Sequence, residues 1–245
     1  MRIAIVLAVL LPAATWAEQP LVLVSDPWCP VACAASDPRP VYVVEIAKAV
    51  LEPAGYRIDY QIVPFARAEA MTNSGDAAGF IGVLKLPKRQ HWAFPEQAQA
   101  QSRVCFYTRA DSRWHYAGAA SLKNQRVGTI RGYSYGTEID GVLRHAKVDQ
   151  VSGLNGFKRG LAKLQAKRID AVVEYELVAQ YQQFASNALL RNAGCSQMAD
   201  QLYLAFSPAR SDAPQLARIL NEGVQRLKKT GELKKILQSY GINEP

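Results

Sequence analysis

Short apolar runs alternate with amphipathic segments along this chain, and Gly, Pro and Asn punctuate the joints between them. Apolar runs of this length predict buried strands, and apolar positions that share one helical face predict helices. The predicted strands are 21–24, 56–63, 80–84, 103–107, 127–130, 148–151, 170–173 and 202–206, and the predicted helices are 41–54, 65–72, 134–146, 157–167, 177–184 and 212–240. Such alternation predicts an α/β fold with largely parallel sheets.

The strand–helix units fall into two series, and the second series begins after Arg109. Extended segments at 103–107 and 202–206 mark the transitions between the series. We therefore predict two lobes, with the second inserted into the first. Lobe 1 would comprise residues 18–107 and 206–245, and lobe 2 would comprise residues 108–205.

Composition and charge exclude several classes of protein. Of the 245 residues, 49% are hydrophobic and 20% are charged, which is ordinary for a globular protein and excludes a disordered or collagen-like chain. The formal net charge of +8 is compatible with a nucleic acid, an anionic surface or an anionic ligand as partner. The sequence has no basic helix with interleaved aromatic residues and no recognition motif, so we expect no nucleic-acid partner.

The first residues have the pattern of a secretory signal peptide. Arg2 precedes a run of nine apolar residues, and Thr15-Trp16-Ala17 resembles a cleavage site, which predicts a signal peptide at 1–17 that is cleaved after Ala17. Nine apolar residues would span only about half of a bilayer core, which argues against a membrane anchor. We expect a periplasmic mature protein with a formal charge of +7.

Export changes the interpretation of the four cysteines, because an oxidising compartment permits disulfides. Four cysteines allow three pairings, and we favour Cys29 with Cys33 and Cys105 with Cys195. A metal site is the weaker alternative, since the C-x3-C spacing is unusual for zinc and the three histidines show no ligand pattern. We therefore expect no metal.

The segment Gly132-Tyr133-Ser134-Tyr135-Gly136 matches the G-x-S-x-G nucleophile motif between a predicted strand and a predicted helix. A hydrolase also needs a histidine base after the serine, but His145 would lie about 16 Å away along the same helix. A binding role fits better: the turn could offer backbone N–H groups and the Ser134 hydroxyl to an anionic ligand group.

A set of short segments recurs in a characteristic order over about 225 residues: 22–26, 44–49, 86–90 with 93–95, 126–132, 168–173 and 231–241. Through these segments, the chain from the first strand to the last helix resembles bacterial periplasmic solute-binding proteins of the polar amino-acid type, which serve ABC importers. The resemblance implies the two-lobe periplasmic binding protein fold, two crossover strands as hinge, and closure of the lobes around a ligand.

Several site residues follow from the resemblance. Arg89 occupies the position of the arginine that binds a ligand carboxylate, a task suited to the planar guanidinium fork. Ser134 lies at or beside the hydroxyl of the second lobe that holds the same group. Asp26 and Trp28 fall in the pocket-facing loop after the first strand, and Arg67 resembles the arginine at the start of the second helix in divergent members.

The sequence also departs from the family pattern at the ligand-binding positions. Tyr175 stands where amino-acid binders usually carry an Asp for the ligand ammonium, and it lies between Glu174 and Glu176. A neutral phenol cannot balance a buried cation. Either Glu174 takes over this role, or the ligand is not an α-amino acid. Gly82 and Lys85 replace hydroxyl residues that commonly precede the arginine.

The leading hypothesis is a monomeric binding protein that captures a small polar, carboxylate-bearing solute for an ABC transporter permease in the inner membrane. We expect no catalytic residues and no cofactor. Two alternatives remain open: a dehydratase-like periplasmic enzyme using Glu174, Glu176 or the Asp26 region as acid or base, and a ligand-sensing domain without a transporter.

Overall fold

The computed structural model describes residues 19–33, 41–186 and 189–240, so the predicted signal peptide lies outside the described residues. In these ranges, strands and helices alternate as the apolar pattern predicts. The strands are β1 (Gln19–Ser25), β2 (Tyr56–Ile62), β3 (Gly79–Val83), β4 (Ala100–Ser102), β5 (Val104–Arg109), β6 (Arg126–Ile130), β7 (Lys147–Val151), β8 (Ala171–Tyr175), β9 (Leu190–Cys195) and β10 (Asp200–Phe206). The helices are α1 (Tyr42–Leu51), α2 (Phe65–Ser74), α3 (Gly136–Leu143), α4 (Gly156–Gln165), α5 (Glu176–Ser186), α6 (Ala213–Thr230) and α7 (Glu232–Ser239).

The strands form two five-stranded sheets, one in each lobe. The order is β2-β1-β3-β10-β4 in lobe 1 and β7-β6-β8-β5-β9 in lobe 2. Both sheets are mixed, which corrects the expectation of largely parallel sheets. β10 runs antiparallel to β3 and β4, and β5 runs antiparallel to β8 and β9. These strands adjoin the connections between the lobes and enter their sheets without the crossover helix that parallel neighbours require.

The sheets divide the chain at positions slightly different from the predicted boundaries. β4 pairs in the first sheet and β5 in the second, so the first transition falls at Arg103 rather than after Tyr107. β10 belongs to the first sheet, so the return falls between Cys195 and Asp200 rather than after Ala205. An apolar run predicts a strand, but it does not tell which sheet the strand joins.

Close backbone packing fixes the helices of lobe 1. A methyl group added at Gly223 of α6 would lie 2.2 Å from Val50 Cγ1 of α1, so this glycine allows the two helices to approach each other. Gly231 has a left-handed conformation and separates α6 from α7, where a single helix was predicted. No helix in the described part of the chain is long and apolar enough to span a membrane.

The structure places both predicted cysteine pairs at disulfide distance. Cys105 and Cys195 are direct neighbours on β5 and β9, with their Cα atoms 3.9 Å apart. Cys29 and Cys33 close a short loop after β1, with a Cα separation of 4.5 Å. Cys105 lies two positions after Arg103, where the chain passes from the first sheet to the second. The Cys105–Cys195 pair is therefore next to a connection between the lobes.

Candidate functional site

The candidate site lies between the lobes, where the carboxyl ends of β1, β3, β6 and β8 converge. In open α/β sheets, ligands bind at this edge. The cleft holds a cavity of about 20 Å³, enough for about one water molecule. Its lining comes from both lobes: Asp26, Trp28, Phe65, Gly82, Val83, Leu84, Arg89, Tyr133, Ser134 and Tyr175. Six of the eight predicted ligand-binding residues are in this set.

Polar side chains of the two lobes bond directly to each other across the cleft. The Trp28 indole N–H of lobe 1 donates to Glu174 Oε1 of lobe 2 at 3.1 Å. In the opposite direction, the Tyr133 hydroxyl donates to Asp26 Oδ2. The Tyr175 hydroxyl lies 3.2 Å from Asp200 Oδ2 on β10 and bonds to it. The lobes are therefore in contact through groups that could also bind a ligand.

Trp28 owes its position to the loop that follows β1. Backbone hydrogen bonds connect Trp28 with Ala32, and the Cys29–Cys33 pair lies within the same loop. Gly82 allows the indole to approach the backbone of β3 closely, because a methyl group at this position would lie 3.0 Å from the Trp28 ring. Gly82, which stands where the resemblance leads us to expect a hydroxyl residue, therefore makes room for the Trp28 ring.

Aromatic rings form much of the cleft wall. Trp28 meets Tyr175 edge to face with ring centroids 5.0 Å apart, and Phe65 packs against Tyr133 at 4.8 Å. Tyr135 stacks on Tyr175 at 6.3 Å, and its hydroxyl oxygen accepts a hydrogen bond from the Ile130 backbone N–H at 2.8 Å. Such a wall suits apolar groups and cations, which are attracted to aromatic faces.

Two carboxyl groups, the buried Glu174 and the half-buried Asp26, lie within or beside this wall. Glu174 is fully buried, and its Oε2 has no hydrogen-bond partner among the described residues. Burial raises the pKa of Glu174 to about 8, against the lowering effect of hydrogen bonds from the Tyr175 backbone N–H and Trp28. Burial also raises the pKa of Asp26 to about 6, although the bond from Tyr133 opposes it. The charge of Asp26 contributes to the raised pKa of Glu174, so the two groups interact.

Arg89 is buried beside the cleft, but an acidic side chain of the protein already binds it. Its Nε and Nη2 donate to Glu69 Oε1 at 2.9 and 2.7 Å, while Nη1 lies 3.5 Å from the Leu84 carbonyl oxygen. The guanidinium also lies 5.5 Å from the ring centroids of Phe65 and Trp92. The guanidinium that was expected to bind a ligand carboxylate is therefore already paired with Glu69.

Sequence reasoning missed Glu69, which lies on α2 with its side chain 24% exposed. Partial burial would raise the pKa of Glu69, but the charges of Arg89 and Lys88 and their hydrogen bonds outweigh it and hold the pKa below its ordinary value. Glu69 lies two positions after Arg67 and twenty before Arg89, so no local spacing pointed to this pair.

Sequence comparison identifies the family. The model of bacterial extracellular solute-binding proteins, family 3, matches residues 24–243. The chain belongs to this family. No curated protein sequence matches the chain.

Solved structures share the fold of this chain. An amino acid ABC transporter substrate-binding protein, AbpA from Streptococcus pneumoniae bound to L-arginine, is 21% identical with a TM-score of 0.76, over 90% of this chain and 94% of that chain. A putative L-cystine ABC transporter protein from Listeria monocytogenes is 16% identical with a TM-score of 0.77, over 91% and 95%. A histidine kinase sensor domain is 20% identical with a TM-score of 0.77, over 93% and 99%.

The remaining predicted residues of this family 3 protein do not offer free groups to the cleft. Arg67 is exposed on α2 and is not part of the cavity lining. The Ser134 hydroxyl donates to Asp140 Oδ2, and the Tyr135 backbone N–H donates to Asp140 Oδ1 at 2.9 Å. The Gly-rich turn thus bonds to Asp140 of its own helix, where sequence reasoning had expected it to bind an anion.

A possible metal-ligand cluster in the described residues consists of Cys105, Glu176 and Cys195, whose ligand atoms lie within 4.8 Å of one another. The two sulfur atoms are bonded to each other, so neither is available as the thiolate that binds metals. The disulfide therefore accounts for this cluster.

Proposed function

We propose that this family 3 protein captures a small polar solute between its lobes outside the cytoplasm and delivers it to the permease of an ABC importer. The observation that supports this most is the set of buried polar groups where the lobes meet. Buried groups that bond across a cleft between separate sheets can exchange those bonds for bonds to a solute when the lobes open. Two structural relatives, an amino acid ABC transporter substrate-binding protein and a putative L-cystine ABC transporter protein, point the same way.

Transport requires that the solute stabilise the closed arrangement. A ligand can shift the equilibrium between open and closed lobes only by its difference in affinity for the two states. Groups from both lobes, such as Asp26 and Tyr133, touch the same solute only when the lobes are closed. Their placement on opposite sides of the cavity therefore favours closure around the solute.

A thermal-shift screen against amino acids, dicarboxylates and polyamines tests this proposal. We expect at least one solute to raise the melting temperature of wild-type protein, and Asp26→Asn to reduce that increase. Asp76→Asn is the matched control, because Asp76 is an exposed acidic residue of the same lobe. No shift with any solute would contradict the proposal.

We place the mature protein in the periplasm, with removal of residues 1–17 on export. Sequencing the N-terminus of the protein recovered from the periplasm should give Glu18 as the first residue. Intact protein with Met1 retained in the cytoplasm would contradict this.

Two observations favour second candidates. The likeness to a histidine kinase sensor domain is compatible with ligand sensing, and the raised pKa values of Asp26 and Glu174 are compatible with acid–base chemistry. Uptake of the labelled solute by cells that lack this protein separates transport from sensing, since only transport predicts reduced uptake. Recovery of the solute unchanged after incubation with the protein would contradict an enzyme.

A further inference from the structure

The charges in and beside the cleft do not balance. Asp200 accepts a hydrogen bond from Tyr175 at the edge of the cleft. Three further acidic side chains, Asp26, Glu69 and Glu174, lie in or beside the cleft, and Arg89 is a buried basic group among them. Glu69 is bonded to Arg89 and also pairs with Lys88 at 3.1 Å. This pairing leaves Asp26 and Glu174 without a cationic partner among the described residues.

Glu174 is the carboxyl group whose need for a cationic partner is clearest. It is fully buried, its Oε1 accepts hydrogen bonds from Trp28 and the Tyr175 backbone N–H, and its Oε2 accepts none from the described residues. A buried carboxylate is costly unless a proton or a cation compensates its charge. Among the described residues, Trp28 and the Tyr175 backbone N–H contact this carboxyl group, and the groups whose charge interacts with it are the acidic Asp26 and the phenols of Tyr107, Tyr133, Tyr135 and Tyr175, none of which is a cation.

Asp26, on the other lobe, also has no cationic partner among the described residues. The Tyr133 hydroxyl donates to its carboxylate. Burial, and to a smaller extent the nearby Asp26 charge, raises the pKa of the Tyr60 phenol. A neutral phenol offers one proton to a carboxylate, whereas an ammonium group offers three and a full charge. An ammonium between the lobes would therefore satisfy Asp26 better than Tyr133 does.

The cleft wall fits the same chemistry. Trp28, Tyr133, Tyr175 and Phe65 all line the cavity. Aromatic faces attract ammonium and guanidinium groups, most strongly where water is excluded. Asp26 lines the cavity directly, whereas Glu174 lies behind the wall, where its Oε1 bonds to Trp28 and to the Tyr175 backbone N–H. Glu69, in turn, already neutralises the arginine that would bind a carboxylate.

We propose that the solute of this protein is a small amine or guanidine cation, bound through Asp26 and Glu174, and that the solute needs no carboxylate group. This inference rests on the proposed function, because it names the class of solute that the cleft would capture. It replaces the expectation of a carboxylate-bearing solute, which depended on a free Arg89.

Matched pairs of amines and amino acids test the inference, because each pair differs only in a carboxylate. Calorimetric titrations of wild-type protein at pH 8.5 would compare agmatine with arginine, and cadaverine with lysine. We expect the amine of at least one pair to bind at least as tightly as its amino acid. Amino acids that bind more than about tenfold more tightly than the amine in both pairs would overturn the inference.

Two other outcomes distinguish this inference from the proposed function. Binding of dicarboxylates or amino acids, without binding of either amine, overturns the cation site but leaves solute capture intact. Absence of binding by every solute in the screen contradicts both. The wild-type comparison needs no variant, so a variant that fails to fold does not affect it.

Variants of the three acidic residues locate the site. Glu174→Gln and Asp26→Asn should each weaken amine binding by at least about tenfold, since each removes one charge that attracts the cation. Glu69→Gln should instead favour the amino acid. It removes the negative charge that neutralises Arg89, so the guanidinium could bind a ligand carboxylate, and arginine should bind more tightly relative to agmatine than it does to wild type. Glu222→Gln, at an exposed position of α6, is the control and should change neither. Unchanged amine affinity in both cleft variants would overturn the assignment.

Discussion

Replacing Glu174 by Gln removes a buried charge while keeping the side-chain shape. The ordinary pKa of this group is 4.5, and burial raises it to about 8 in the folded protein. The folded protein therefore holds the proton more tightly than the unfolded chain does. The stabilising effect of this difference is complete below about pH 4.5 and is lost as the pH rises through about 8.

The magnitude follows from the size of the shift. Each pKa unit corresponds to about 1.4 kcal/mol, so the loss of unfolding free energy between these two pH values is on the order of 5 kcal/mol. At pH 7 it is about 3 kcal/mol, or roughly 10 °C in melting temperature for a chain of this size. These values are upper limits, because opening of the lobes would admit water to the carboxylate.

Denaturant unfolding of wild type and Glu174→Gln at pH 5, 7 and 8.5 measures this effect. Gln lacks the titrating proton but adds a buried N–H group that costs about 1–3 kcal/mol at every pH. The prediction therefore concerns the change with pH: the stability of the variant relative to wild type should increase by several kcal/mol from pH 5 to pH 8.5. The unfolding free energy of Glu222→Gln should change with pH in the same way as that of wild type. A stability difference between Glu174→Gln and wild type that stays constant from pH 5 to pH 8.5 would show that Glu174 does not titrate with a raised pKa.

Three further predictions concern the other contacts. Glu69→Ala should lower the unfolding free energy by about 1–3 kcal/mol, measured by denaturation, because it leaves the buried Arg89 without its partner; no loss would contradict the pair. Reduction of Cys105–Cys195, which closes a loop with a sequence separation of 90, should cost on the order of 4 kcal/mol, and peptide mapping that finds free thiols in the exported protein would contradict both pairings. Gly223→Ala should cost about 1–3 kcal/mol by crowding Val50, and unchanged stability would contradict the close packing of α1 on α6.

Much of the fold could be predicted from local patterns. The apolar runs and helical faces indicated most strands and helices within a few residues, because burial on one side sets the spacing of apolar positions. β4 and β9 were missed, since Ala100–Ser102 is short and Leu190–Cys195 carries mostly polar or small residues. The direction of β5 and β10 depends on how the lobes connect, which no local pattern contains.

The candidate site could be predicted only in part. The resemblance to the family indicated Asp26, Trp28, Gly82 and Tyr175, which line the cleft because they follow or end strands that meet there. The partners of charged groups could not be predicted: Glu69 meets Arg89 through folding of α2 against the segment after β3. Nothing in the sequence distinguishes a buried arginine that is free from one that an acidic residue already neutralises.

The proposed function requires that the cleft captures one small solute between the lobes. This can be measured by calorimetric titration of the best solute from the screen into wild-type protein and into the double variant Asp26→Asn/Glu174→Gln. We expect saturable binding of one solute per chain to wild type, and affinity lower by at least about tenfold in the double variant. Equal affinity for both proteins, or no binding to wild type, would contradict it.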